Sequence, residues 1–297
     1  MKPESTRIGY QWEQSWHAFR TPSYSRSVPC LIPDMASDFQ LFHRFWASWG
    51  AKLEIPVKRN RARLVYPSTL VESKRSDGAV ELKPASPLCI LNAPQKGSST
   101  RRGASHRQAI VIDGTFVMRH DANPPFLVEG SCCIAIFDTE EVPGTSLVLR
   151  EIEAMHFDME KEQNHTPFHP GFHVQRGSSN RLLDEVIKPP IALGSHMPVE
   201  KIRIDRATEL GTPYLRLPTP QMDLFSVMTM VIADFFCSSN PKDPKTTAKV
   251  TAEFKALLAL LFDGNNAARE GFLARRIRTD GEQRKFMSIG GWYAECP

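Results

Sequence analysis

Two short stretches of this chain alternate polar and apolar residues, and this period of two constrains the fold more than any other feature. His156 and Asp158 flank a phenylalanine, and His173 and Gln175 each follow an apolar residue. Successive side chains of a strand point to opposite faces, so each polar pair shares one face of its strand. If the two strands are neighbours, all four side chains meet on one open face of a sheet. The alternation therefore predicts adjacent strands with a polar patch.

The loop between these stretches is rich in histidine. Four of the nine histidines of the chain lie within the eighteen residues from 156 to 173. His165, His169 and His173 are spaced by four, as in a helical stripe, but the prolines and the glycine between them exclude a helix. The segment is therefore predicted to be a loop that runs into a strand.

The histidine cluster is open to three interpretations. Two imidazoles held apart can act as general acid and base on a phosphodiester, because an ordinary imidazole titrates near neutral pH. A zinc site would need His156, Asp158, His169 and His173 as ligands, although their spacing matches no known zinc signature. A histidine-rich loop can also be an ordinary polar surface loop. For the first interpretation the candidate catalytic residues are His156, Asp158, His169, His173, Gln175 and Arg176.

Length and patterning predict one main domain. Of the 297 residues, 41% are hydrophobic, which is enough for a substantial core. Residues 1–34 have aromatic side chains without any period and are predicted to be a poorly ordered arm that folding does not need. Residues 35–297 are predicted to form a single domain with a basic, loop-rich insertion at about residues 72–107.

The order of the elements predicts an α+β fold. A helix is expected from Ser37, its N-cap, to Gly50. The Asp113-Gly114 pair between two apolar runs indicates a tight hairpin turn. Residues 147–159 fit both a helical and a strand period, and the strand is favoured. A nearly all-apolar central helix should follow Thr219 as its N-cap. Together these features predict an antiparallel sheet, flat or strongly curved, flanked by helices.

Positive charge is concentrated in one segment. Residues 58–107 contain eleven Lys and Arg residues against three acidic ones, although the net charge of the whole chain is only +4. Such a segment could follow a phosphate backbone, or it could be a solvated loop. The candidate nucleic-acid-binding residues are Lys58, Arg59, Arg61, Arg63, Arg275, Arg276 and Arg278.

Two resemblances bear on function. The run from His169 to Gln175 resembles the motif of the histidine-triad nucleotide hydrolases, although a Pro-Gly pair interrupts its alternation and Gln175 stands where that motif has a third histidine. Residues 108–237 resemble a bacterial family of unassigned activity. The shared features are a strand ending in Arg119-His120-Asp121, a His-Phe-Asp pair, a His-Pro-x-x-His-x-Gln strand and an Arg-x-Pro turn at residues 216–218 before an apolar helix. This second resemblance implies a toxin, or a component of a defence system or mobile element.

Two function classes follow from these observations. One is a metal-independent nuclease that cleaves RNA phosphodiesters, and the other is a non-catalytic subunit that binds nucleic acid or a partner protein. Nucleotide-dependent and serine-hydrolase chemistries are not expected, since their glycine-rich and nucleophile motifs are missing from the sequence. No apolar run is long enough to span a membrane and no signal peptide is recognised, so a cytoplasmic location is expected.

Overall fold

The computed structural model describes residues 35–95, 107–119, 126–142, 145–159, 172–177, 182–207, 216–218, 223–237 and 244–262. The helices are α1 Met35–Arg59, α2 Asp184–Ser195, α3 Leu224–Val231, which continues as a π-helix over Ile232–Cys237, and α4 Pro244–Phe262. The strands are β1 Arg63–Val65, β2 Leu70–Lys74, β3 Val80–Pro84, β4 Leu88–Pro94, β5 Arg107–Arg119, β6 Phe126–Val142, β7 Ser146–Met159, β8 Phe172–Arg176, β9 Ile202–Asp205 and β10 Arg216–Pro218. No helix among the described residues is long and apolar enough to cross a bilayer.

The described strands form one ten-stranded sheet around a long central meander. The main path runs β1-β4-β5-β6-β7-β8-β10, and neighbours on it are antiparallel. Strand β5 is long enough to pair with both β3 and β4 on one side, and β7 pairs with both β8 and β9 on the other. Only the β7–β9 pairing in this described sheet is parallel. This architecture confirms the predicted α+β class.

The larger hydrophobic core lies between one face of the sheet and the helices α1, α3 and α4. Phe42, Trp46 and Trp49 of α1 pack with Phe116 of β5 around Phe225 of α3. The rings of Phe116 and Phe225 have centroids 5.3 Å apart. The apolar helix expected near residue 224 therefore lies within this core.

The opposite face of the sheet is apolar over only half of its length. There α2 covers one end of β5, β6 and β7. At this end β5 pairs with β4, and β7 pairs with β9. Ile187 and Ile191 of α2 are fully buried against this surface, which includes Val111, Phe137 and Leu149. We call this region the apolar half of the face.

Helix α1 is longer than the sequence indicated. It continues through Gly50 to Arg59, so the predicted end at Gly50 is wrong. The ring of Tyr66 lies directly against Gly50, where any Cβ would collide with it. Tyr66 also stacks on Trp46 and donates a hydrogen bond to its carbonyl oxygen at 2.8 Å. The glycine is therefore there for a close contact and not as a helix terminator.

The expected hairpin at Asp113-Gly114 is also wrong. Strand β5 runs straight through both residues, and they pair with Cys133 and Cys132 of β6. A Cβ at Gly114 would lie 2.6 Å from the carbonyl oxygen of Ser131 and 3.3 Å from a methyl group of Leu224. Gly114 thus lets the neighbouring strand and α3 approach β5.

Two further predictions need correction. Over residues 72–95, the described part of the predicted loop-rich insertion that precedes residue 96, the chain forms the end of β2 and strands β3 and β4. Every second residue of β3 is buried despite the local excess of polar residues. Helix α3 has Asp223 as its N-cap, with the carboxylate accepting a hydrogen bond from the Ser226 amide at 2.9 Å, in place of the predicted Thr219. The predicted arm at residues 1–34 lies outside the described residues.

Candidate functional site

Strands β7 and β8 bring four of the candidate site residues together. The two strands pair antiparallel, with His156 opposite Gln175 and Asp158 opposite His173. Phe157 lies between His156 and Asp158 in sequence and packs in the larger core. The four polar side chains therefore lie on the sheet face away from α1 and α3. The period of two that the sequence shows thus places these four residues side by side.

The carboxylate of Asp158 lies between the two imidazoles. Its Oδ1 is 2.7 Å from Nε2 of His156, and its Oδ2 is 3.6 Å from Nε2 of His173. A carboxylate in this position can accept a hydrogen bond from an adjacent imidazole and fix the orientation of its ring. The arrangement can therefore hold His156 in one orientation for proton transfer.

The two histidines differ in access to solvent. The side chains of His156 and Asp158 retain 13% and 14% of their exposure, whereas His173 retains only 1%. The expectation of an open face is therefore wrong for His173, which is enclosed where it pairs with the carboxylate. His156 is the imidazole of the pair that a substrate can approach.

The polar patch extends across two more strands. One cross-strand row consists of Asp113 on β5, Cys133 on β6 and His156 on β7, each opposite the next. The adjacent row consists of Thr115, Ser131 and Asp158 on the same three strands. The hydroxyls of Thr115 and Ser131 are 3.2 Å apart. We call the whole set the polar half of the face. Its members are Asp113, Thr115, Ser131, Cys133, His156, Asp158, His173 and Gln175.

The sequence analysis missed the part of the polar half that lies on β5 and β6. Assigning a turn to Asp113-Gly114 divided β5, which hid the alternation of Val111, Asp113 and Thr115 along one face. The same alternation separates the adjacent cysteines, since Cys132 belongs to the larger core and Cys133 to the polar half. Burial raises the pKa of the Cys132 thiol well above its ordinary value, so this thiol stays protonated at neutral pH.

Arg176 is not part of this patch. It lies opposite Met155, on the face of β8 that is directed towards the helices, whereas Gln175 lies on the other face. Its Nε and Nη2 donate to the two carboxylate oxygens of Glu153 at 2.6 and 2.5 Å. The structure therefore does not bring Arg176 together with the other candidate catalytic residues on β7 and β8.

The basic run at the end of α1 and just after it is mostly engaged within the protein. Lys58 pairs with Glu54 one turn earlier at 2.7 Å. The guanidinium of Arg59 pairs with Glu253 of α4 and donates to the Phe236 carbonyl oxygen.

The other two residues of this run are no closer to the site. Arg63 donates to the Gly194 carbonyl oxygen at the end of α2. Arg61 is exposed in a left-handed conformation just after α1. Arg63 lies on β1, four strands from β7 along the sheet, so the structure does not bring this run to the histidines.

Several candidate residues lie outside the described part of the chain. These are His169, Arg275, Arg276 and Arg278. In the ranges that the structure does describe, no group of three His, Cys, Asp or Glu side chains is arranged to hold a metal ion. The alternative zinc set included His169, so it stays a prediction.

No protein-family model, curated protein sequence or solved structure matches this chain. The resemblance to a bacterial family of toxin or defence type therefore stays a prediction.

Proposed function

We propose that the polar half is the active site of a metal-independent ribonuclease in which His156 exchanges a proton with the substrate. The observation that carries this proposal is the carboxylate of Asp158, 2.7 Å from His156 and 3.6 Å from His173. A positioned imidazole supported by a carboxylate is a common general base in enzymes. His156 is the more exposed of the two imidazoles.

The reaction has a definite proton and bond balance. His156 accepts the proton of a ribose 2′-hydroxyl, and the 2′-oxygen forms a bond to the adjacent phosphorus while the bond from phosphorus to the 5′-oxygen breaks. The leaving 5′-oxygen takes a proton from a second group, for which the sequence offers His169. The products are a 2′,3′-cyclic phosphate and a 5′-hydroxyl, so no external reactant is consumed. RNA alone carries the nucleophile this step needs.

Each residue of the cluster has a separate part in this scheme. Because Nε2 of His156 faces Asp158, the exchanged proton is carried on Nδ1. Asp158 stabilises the imidazolium formed when the 2′-hydroxyl is deprotonated. His173 is a positioning residue, since it contacts the carboxylate and is enclosed.

The proposal is tested by incubating the purified protein with a mixed RNA pool, with and without EDTA. We expect cleavage that survives EDTA and leaves cyclic phosphate ends. Cleavage that disappears in EDTA and returns with Zn²⁺ would instead favour the zinc site. Growth arrest on induced expression in bacteria, lost in His156→Gln, would support the toxin setting.

A non-catalytic binding subunit is the second candidate. The burial of His173, 1% exposed and beside Asp158, favours it, because an enclosed histidine–carboxylate pair can have the purely structural role of fixing the packing of two strands. This candidate predicts binding of RNA or of a partner protein and no cleavage with or without EDTA.

A further inference from the structure

Asp113 is an unusual residue for its position in the sheet. It lies in the middle of β5, with Val111 two residues before it on the same face, and only 8% of its surface is exposed. Central strands normally carry apolar residues at such positions. A buried carboxylate in this position needs partners for both oxygens.

Among the described residues, only one oxygen of Asp113 has such a partner. Its Oδ2 lies 3.0 Å from Nζ of Lys83 on β3. Its Oδ1 is buried, and no hydrogen-bond donor in the described part of the chain reaches it. A buried acceptor without a donor destabilises the fold, which suggests that it serves a ligand.

Lys83 defines the kind of ligand that fits. Its side chain is 45% exposed, so its ammonium group can bind an anion while it stays paired with Asp113. The same ammonium group would repel a metal cation from the carboxylate. An acceptor beside a cation fits a ligand with a hydroxyl donor next to an anionic group, which is the chemistry of a ribose phosphate.

The position of this pair matches the proposed reaction. Asp113 and His156 lie in the same cross-strand row with Cys133 between them, so their backbones are two strand spacings, about 10 Å, apart. The hydroxyls of Thr115 and Ser131 lie in the adjacent row between the same strands. A nucleotide next to the scissile one would therefore reach Asp113 and Lys83.

We infer that Lys83 and Asp113 form a ribose-phosphate subsite beside His156, in which Asp113 accepts a hydrogen bond from a 2′-hydroxyl and Lys83 binds the adjacent phosphate. The inference rests on the proposed ribonuclease function and adds its substrate selectivity. The protein then distinguishes RNA from DNA by binding as well as by the need for a 2′-hydroxyl nucleophile.

The test measures binding separately from cleavage. The His156→Gln protein, which keeps the subsite, is titrated with a short fluorescent RNA and with DNA of the same sequence. RNA should bind about tenfold more tightly, the equivalent of one hydrogen bond to a charged group. Adding Asp113→Val should abolish this preference, whereas adding Lys83→Met should weaken binding of both oligonucleotides equally.

A stability measurement accompanies the binding data. If Asp113 serves a ligand, the Asp113→Val protein should unfold at the same urea concentration as the wild type or a higher one. A lower midpoint, or an RNA preference that persists without the carboxylate, overturns the subsite. If the subsite is overturned but the wild type cleaves RNA, the proposed function stays intact. If the wild type binds RNA with this preference but never cleaves it, the proposed function is contradicted and the subsite is not.

Discussion

The same three strands build two contrasting regions on one face of the sheet. In the apolar half, Val111 and Ala135 are fully buried beside the residues of α2. One step further along the same strands, the polar half begins with Asp113 and Cys133. The backbone pairing is continuous across the boundary, so the change lies in the side chains alone.

The contrast separates two purposes of one sheet. Burial of apolar area in the apolar half stabilises the fold directly. Partly buried carboxylates and imidazoles contribute little net stability, because desolvation offsets most of their mutual attraction. Since natural sequences usually break local folding rules at functional sites, the polar half is the place to look for function.

The largest effect is expected from placing a carboxylate two residues earlier on β5, in the apolar half of the face. Val111→Asp places an unpaired charge under α2 and should lower the free energy of unfolding by about 3–5 kcal/mol, measured by urea denaturation. Asp113→Val, two residues away on the same face, is the matched control and should cost nothing. Equal losses in both variants would mean that the two halves do not differ in their contribution to stability.

A smaller effect is expected from the carboxylate between the histidines. Asp158→Asn removes the charge that stabilises the imidazolium, so single-turnover RNA cleavage should slow on the order of 10²-fold. The control is Glu72→Gln, which alters a similar pair, since Glu72 lies 2.7 Å from His43 on a more exposed part of the protein. If both substitutions slow cleavage alike, Asp158 has no special role.

Replacing basic residues should affect stability more than RNA binding. Arg59 is only 19% exposed and joins α1 to α4 and the π-helix, so Arg59→Ala should lower the unfolding free energy by about 1.5–3 kcal/mol. Lys58→Ala, in an exposed pair, should change it by less than about 0.5 kcal/mol. Fluorescence anisotropy should give the same RNA affinity for both variants. A selective loss of affinity in Arg59→Ala would restore the predicted nucleic-acid surface.

The smallest effect is expected at Cys133. This thiol lies directly opposite His156 and could act as a nucleophile in a different mechanism. In the proposed mechanism the substrate supplies the nucleophile, so Cys133→Ser should keep the cleavage rate within about threefold of the wild type. Complete loss of activity would indicate a thiol mechanism, detectable as a covalent adduct by mass spectrometry.

The parts of the site that could be predicted from the sequence depend on local alternation. The strand over residues 146–159 and the shared face of His156 and Asp158 follow from a period of two, and so does the face of His173. The same rule, applied to Arg176, would have placed it on the other face. Adjacency in sequence was mistaken there for adjacency in space.

The parts that could not be predicted depend on contacts between distant residues. Asp113-Gly114 is a strong local turn signal, but Ser131 and Leu224 require the glycine within a continuous strand. Gly50 is required in the same way by Tyr66. The role of Arg59 depends on Glu253, 194 residues away in sequence. Tertiary packing decided each of these positions against the local propensity.

In the proposed mechanism the polar half performs the chemistry and His156 is its reactive group. We would compare single-turnover cleavage of saturating RNA in EDTA by two variants, His156→Gln and His43→Gln, after urea unfolding has shown both to be folded. His43 has its own carboxylate partner at the same 2.7 Å separation but lies on α1. We expect His156→Gln to lose on the order of 10²- to 10⁴-fold in rate and His43→Gln to retain the wild-type rate. Equal rates in the two folded variants would contradict the claim.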